Sequence, residues 1–188
     1  MKRLPQAALI ALVAIAAGAA GFWTSRHGGA ILPLGPSPQS HPGQVAPAAG
    51  ARLLALTLAD ADGVAHDLGR WRGQVVVANF WATWCPPCLD EIPDFVDVFE
   101  AHRESGVRFV GLSIDNPRNV AAFRDRLQVS YPLLIGNAEM LKLAQALGNP
   151  AQALPFTVIL DRDGQIRHAT VGRLSKSDLA GKISSLIH

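Results

Sequence analysis

The sequence predicts an α/β fold with a mixed central sheet flanked by helices, and three observations predict it. Apolar, β-branched-rich runs recur at residues 74–80, 107–114 and 156–161. They have strand length and no alternation, as in strands buried on both faces. Segments with apolar residues at helical spacing lie between them. Asp-Gly pairs at Asp62-Gly63 and Asp163-Gly164 mark hairpins toward both ends of that region. Alternating strands and helices make part of the sheet parallel, and the hairpins add antiparallel strands.

The bulk properties agree. The chain has 188 residues, 49% hydrophobic and 17% charged, which fits one packed domain with extensions and excludes global disorder. A net charge of +2 gives no electrostatic case for a nucleic-acid partner.

Residues 1–23 stand apart from the domain. Lys2 and Arg3 precede an uncharged run of 17 residues from Ala7 to Trp23. A positive flank before such a run reads as an export signal, cleaved as a signal peptide or kept as an anchor. Phe22 and Trp23 suit a membrane interface. Residues 24–50 carry prolines 33, 36, 38, 42 and 47 and several glycines, a composition that reads as a tether without regular structure. The domain spans 51–188.

Within it, residues 52–68 read as a hairpin around Asp60-Ala-Asp-Gly63, and Gln74–Phe80 as a strand buried on both faces. Leu89, Ile92, Val96 and Phe99 recur at helical spacing. Val107–Ile114 is a second buried strand. Asn119–Leu127 and Glu139–Leu147 read as helices, with Tyr131–Ile135 a short strand between them. Residues 156–161 and 165–171 flank the second Asp-Gly turn. Ser175–Ile187 closes the chain as a helix capped by Ser175 or Ser177.

Both cysteines of the chain, Cys85 and Cys88, lie where the first buried strand gives way to a helix. Chemistry gathers at the carboxyl ends of such strands. A thiol at a helix N-terminus is exposed to the positive end of the helix dipole, which stabilises thiolate. The spacing expects an exposed nucleophile at Cys85 and a shielded partner at Cys88. Pro86 and Pro87 occupy the first turn, and Pro87 removes an N–H that would otherwise solvate a Cys85 thiolate. A reduced form without special stabilisation favours electron donation. No metal is expected. A zinc site needs about four ligands, a second cysteine pair does not exist, and His66, His102 and His168 lack ligand spacing. Haem attachment needs histidine where Leu89 stands. Trp84 reads as a substrate-facing lid and Trp81 as core.

The stretch "NFWATWCPPCLDEIP" resembles the active site of the thioredoxin superfamily. More narrowly it resembles the membrane-tethered, extracytoplasmic TlpA/ResA-type thiol-disulfide oxidoreductases. Pro93 matches the family's helix-kinking proline, and "ALPFTVILDRDG" resembles the segment with its cis-proline. The resemblance implies a thioredoxin-like fold with an N-terminal β-hairpin and a central αβα insertion. It implies that Cys85 attacks a substrate disulfide and that Cys88 resolves the mixed disulfide. It also implies that the Leu154–Pro155 bond is cis, with Leu154 pairing to a substrate strand, and that the redox-active disulfide is the only cofactor. Partners implied are disulfide-containing protein substrates and a membrane electron donor for thiols, on the periplasmic side of the inner membrane. Apocytochrome c and copper-site assembly proteins are among the family's substrates.

The chain departs from thioredoxins proper at Asn79, where they carry a buried aspartate. Glu91 matches an acidic residue of ResA-like members and is a candidate proton relay for Cys88. A glutamate on a helix face is ordinarily solvated, so that reading stands beside it. Ala153 replaces a family glycine. Two further readings use the same dithiol: a copper-binding assembly factor, against which the absence of a methionine cluster speaks, and a disulfide oxidase or isomerase on the same fold.

Overall fold

The computed structural model describes residues 48–187, and the export or anchor segment 1–23 falls outside them. The elements are α1 (Ala48–Leu53), β1 (Thr57–Asp60), β2 (Ala65–Asp67), β3 (Val75–Trp81), α2 (Pro86–His102), β4 (Val107–Ser113), α3 (Pro117–Leu127), β5 (Leu133–Ile135), α4 (Ala138–Ala146), β6 (Phe156–Leu160), β7 (Ile166–Val171) and α5 (Lys176–Ser184). The fold is α/β, and its order matches the sequence reading with two additions. One is α1, which starts within the expected tether. Pro47 is the last proline of that run, two alanines follow, and Ala49 and Leu53 one turn apart are wholly buried. Burial of that face overrides the linker-like composition. The other is a 3-10 turn, Leu68–Trp71, whose first N–H groups are capped by Asp67 through Gly69 N at 2.8 Å.

The seven strands form one sheet in the order β2-β1-β5-β4-β3-β6-β7. β3, β4 and β5 run parallel, and β1, β2, β6 and β7 complete the sheet antiparallel. All seven residues of β3 are buried, as its unbroken apolar run requires. The sheet separates two apolar layers. One, beneath α2, α3 and α5, holds Val77, Trp81, Cys85, Cys88, Phe95, Phe109, Phe123 and Leu179. The other, beneath α1 and α4, holds Ala49, Val76, Phe80, Leu112, Leu143 and Phe156. The αβα insertion α3–β5–α4 serves both.

Helix starts follow local chemistry. Asn116, Asn137 and Ser175 each turn a side-chain oxygen to a first-turn N–H. Of the two capping serines expected for α5, Ser175 is the one used. Gly111 is a packing requirement: a Cβ there would lie 2.8 Å from Trp81 Nε1 and 2.5 Å from Leu133 Cδ2. Its absence lets the Trp81 ring cross β4 and pack, tilted, on Phe123 at 4.6 Å between centroids.

Phe109 stands at the centre of an aromatic cluster, with Phe95, Phe99 and Tyr131 at centroid distances of 6.2, 5.5 and 5.8 Å. Phe109→Ala is expected to lower unfolding free energy by about 3–5 kcal/mol in urea titrations, the range for a buried aromatic truncated in a packed core. A loss below about 1 kcal/mol would mean the cluster re-closes around the void.

Candidate active site

β3 delivers the site. Its last residues, Phe80 and Trp81, lead through Ala82–Trp84 to Cys85, the N-cap of α2. Pro86 and Pro87 fill the first two helical positions, where their missing N–H groups cost no helix bond. Cys88 N donates to the Cys85 carbonyl at 3.0 Å. Cys85 and Cys88 are joined in a disulfide, with Cα atoms 5.3 Å apart. Cys85 is 4% exposed and Cys88 0%. The expectation of an exposed nucleophile is thus corrected: in the oxidised protein both sulfurs are largely covered, and Cys85 keeps the only opening. Its side chain joins the layer that holds Trp81 and Ile92. Trp84, 65% exposed, projects beside it, whereas Trp81 is buried as expected.

The loop before Cys85 is held from a second direction. Asp115, after β4, accepts hydrogen bonds from Thr83 N at 3.3 Å and from Thr83 Oγ1. Its other oxygen accepts from Asn116 N at 2.8 Å and Asn119 Nδ2 at 3.0 Å. Burial pushes its carboxyl up, but these bonds together hold it below the usual range, so a negative charge is fixed against Thr83, two residues before Cys85. Sequence reasoning missed this pair. The Asp-Asn-Pro start of α3 announces a cap, but nothing in it announces a bond to Thr83.

Opposite the end of β3, the chain enters β6 through Leu154–Pro155, and that peptide bond is cis as expected. Phe156 pairs with Phe80, which sets Pro155 beside Trp81. Leu154 packs on the layer that contains both cysteines. Where the family carries glycine, Ala153 is clasped by buried Asn149, whose side chain donates to its carbonyl at 2.8 Å and accepts from its N–H at 3.1 Å.

Glu91 decides between the two sequence readings: it is 0% exposed, not a solvated helix residue. It lies one turn beyond Cys88 on the buried face of α2. Asn79 Nδ2 donates to its Oε1 at 2.7 Å and to Thr157 Oγ1 at 3.0 Å, and Leu174 N donates to its Oε2 at 3.0 Å. Burial raises its pKa to about 7, while the bonds from Leu174 and Asn79 pull the other way. The position of Asn79 had marked it only as a lost base. Its role as the partner of Glu91 was hidden because β3 and α2 meet only in three dimensions.

Redox chemistry at this junction is a family property. The Redoxin family model matches residues 42–183. The chain belongs to the Redoxin family. Its curated relatives are ResA-like. It is 28% identical to the thiol-disulfide oxidoreductase ResA of Geobacillus thermodenitrificans over 76% of this chain and 80% of that one. It is 30% identical to that of Halalkalibacterium halodurans over 68% and 71%. A thiol:disulfide interchange protein from Chlorobium tepidum superposes with a TM-score of 0.64 at 26% identity, over 71% of this chain and 93% of that one. This redoxin is a thiol-disulfide oxidoreductase of the ResA/TlpA type with a thioredoxin-like fold. Among its described residues, no group of three or more His, Cys, Asp and Glu side chains is placed to hold a metal ion. No helix among them is long and apolar enough to cross a membrane.

Glu91 links stability to pH. Its folded-state pKa of about 7 lies above its ordinary 4.5, so the folded protein holds this proton more tightly than the unfolded chain. The resulting stability is complete below about pH 4.5 and is lost as pH rises through about 7, on the order of 3 kcal/mol in all. Urea titrations from pH 4.5 to 8.5 are expected to show that decline in the wild type and a flatter profile in Glu91→Gln. Parallel profiles would remove Glu91 as its source.

Proposed function

We propose that the protein is a reductase of protein disulfides on the extracytoplasmic side of a membrane, with no cofactor beyond its own dithiol. Cys85 attacks a substrate sulfur, and the other substrate sulfur leaves as thiolate. Cys88 then attacks Cys85, releasing the second substrate sulfur and leaving the Cys85–Cys88 disulfide. A membrane-borne dithiol donor restores the reduced pair. Trp84 and the backbone at Leu154–Pro155 receive the substrate as an added strand beside Cys85. Cytochrome c maturation and copper-site assembly are the settings that supply such substrates.

One observation carries the reading: Cys88 and, one helical turn on, Glu91 are both fully buried beneath an opening that serves Cys85 alone. Resolution requires Cys88 to lose its proton in a place that penalises charge. Glu91, with a pKa of about 7, is the carboxylate matched to take it. Asparagine at 79 suits this task as aspartate does not. Its amide donates to the carboxylate and, turned over, accepts from the acid, so Glu91 changes protonation without a second buried charge.

The direction rests on two features that withhold support from a Cys85 thiolate. The first helical turn presents prolines at 86 and 87 instead of N–H groups. Asp115 adds negative charge to the adjoining loop. A reduced form stabilised so little holds its electrons weakly.

Brief alkylation of the reduced protein near neutral pH is expected to label Cys85, and Cys88→Ser to accumulate mixed disulfide with substrate. Preferential labelling of Cys88 would reverse the assignment. In Glu91→Gln, reduction of a model disulfide is expected to slow by about 100-fold or more and lose the rise through pH 7, general-base catalysis contributing on that scale. A wild-type rate from pH 5 to 9 would return the proton to solvent. A redox potential near that of DsbA-type oxidants, about −120 mV, would overturn the reductase direction; one near or below thioredoxin, about −270 mV, supports it.

A further inference from the structure

The end of the domain farthest from the disulfide gathers arginines from separate parts of the chain. Four pieces meet there. Val75, the first residue of β3, pairs with Val107, the first of β4. The β6–β7 turn closes beside them, since Leu160 pairs with Val76. α1 rests on that turn: Gly50 approaches it so closely that a Cβ would lie 2.2 Å from the Gly164 carbonyl oxygen. The 3-10 turn follows, with a Cβ on Gly69 placed 3.4 Å from the Leu54 carbonyl oxygen.

Each piece carries arginine. Arg52 belongs to α1, Arg70 and Arg72 to the 3-10 turn and its C-cap, Arg108 to β4 and Arg162 to the β6–β7 turn. Arg108 is half-buried and the other four are exposed. None of the five lies within ion-pair distance of a carboxylate among the described residues. Arg108 reaches only backbone carbonyls, at 3.4 and 3.5 Å, and Arg162 only the Ile187 carbonyl, at 3.4 Å. The acidic groups nearby are engaged or few. Asp67 caps Gly69, Asp161 folds its own turn, and Glu104 and Asp163 remain. Arg70 and Arg108 line a cleft of about 380 Å³ with Trp71 and Gln74. Trp71 is half-buried there, an amphipathic ring in a cleft that the two arginines share with His66 and Asp67. That pairing suits a lipid interface, where phosphate meets glycerol and acyl chain.

The charges of the active-site helix are compensated instead. Along α2, Asp94 meets Arg173, Asp97 meets Lys176 and Glu100 meets Arg103. The chain enters the described domain at Ala48, on the cationic end. Before it stand the 24 residues 24–47, with a reach of up to about 80 Å. Such a tether permits docking without imposing it. The uncompensated arginines supply the preference.

We propose that Arg52, Arg70, Arg72, Arg108 and Arg162, around the Trp71 cleft, dock on the anionic phosphate headgroups of the bilayer that holds residues 1–23. The disulfide then faces away from that bilayer, about 20 Å further out along β3. This orientation rests on reading residues 1–23 as an anchor, and the test separates the two ideas. Full-length protein is reconstituted with vesicles of phosphatidylcholine alone and of phosphatidylcholine mixed with phosphatidylglycerol. Flotation reports the anchor, and amide hydrogen exchange reports the face.

The protein is expected to float with both vesicles. Exchange at residues 69–74 and 106–109 is expected to slow only on the anionic ones, and to recover on raising salt. Residues 82–89 exchange alike on both. Replacing Arg70, Arg72 and Arg108 by Gln is expected to reduce the added protection about fivefold per arginine. Reduction of a model disulfide at the wild-type rate certifies that variant as folded; should it not fold, the salt dependence of the wild type decides. Equal exchange on the two vesicles overturns the docking, whatever flotation shows. Failure to float with neutral vesicles overturns the anchor, and selective protection on anionic ones still supports the docking. The same protection from inorganic phosphate alone overturns the lipid in favour of a soluble anion.

Discussion

The hydrogen bond from Asn79 to Glu91 is the contact on which the rest of this structure depends. It joins the middle of a fully buried strand to the helix that carries the disulfide, in a layer that is mostly apolar. A carboxyl group in such a layer must be bonded on both oxygens or be excluded from it. Asn79 serves one oxygen and Leu174 N the other. The segment entering α5 is thereby tied to α2 across 83 residues of chain. One polar requirement thus fixes strand, active-site helix and closing helix against each other. The group that fixes them is also the one with its pKa near neutrality.

That arrangement explains how a single strand end serves both packing and chemistry. β3 alternates its side chains between two layers, so Asn79 and Trp81 face the redox layer while Ala78 and Phe80 face the other. Asn79 reaches Glu91, and Trp81 crosses Gly111 to reach α3. What lies beyond, Ala82 to Cys85, inherits a rigid platform and a side tether from Asp115. Cys85 is held at a helix start by covalent continuity with a strand that cannot slide: its register is paired on both sides over five or more residues.

Much of this was legible in the sequence. Unbroken apolar runs gave β3, β4 and β6, and Asp-Gly pairs gave both hairpins. The spacing of Leu89, Ile92, Val96 and Phe99 gave α2. The cysteine pair and Pro155 were legible because a short motif carries their geometry within itself. The unread features are those that close across long separations. Thr83 and Asp115 are 32 residues apart, and Asn79 and Thr157 are 78 apart. α1 escaped because its burial against Gly164 outweighs a composition that reads as linker. Glu91 was readable as a candidate and undecidable as a buried group, since helical spacing places it on the Cys88 side without saying what covers that side.

The two apolar layers have a consequence for how the protein tolerates change. The disulfide, the buried carboxyl group and its amide partner all occupy one layer. The other is apolar from α1 to α4, with the Met140 thioether within it and the Asn149 clasp at its margin. Substitutions on distant, unshared contacts add nearly independently. The second layer can therefore drift in sequence, exchanging Leu143 or Leu147 for residues of like volume, while the chemistry on the first stays intact. A lineage of such proteins would diversify its stability through one half of the molecule and its substrates through the other.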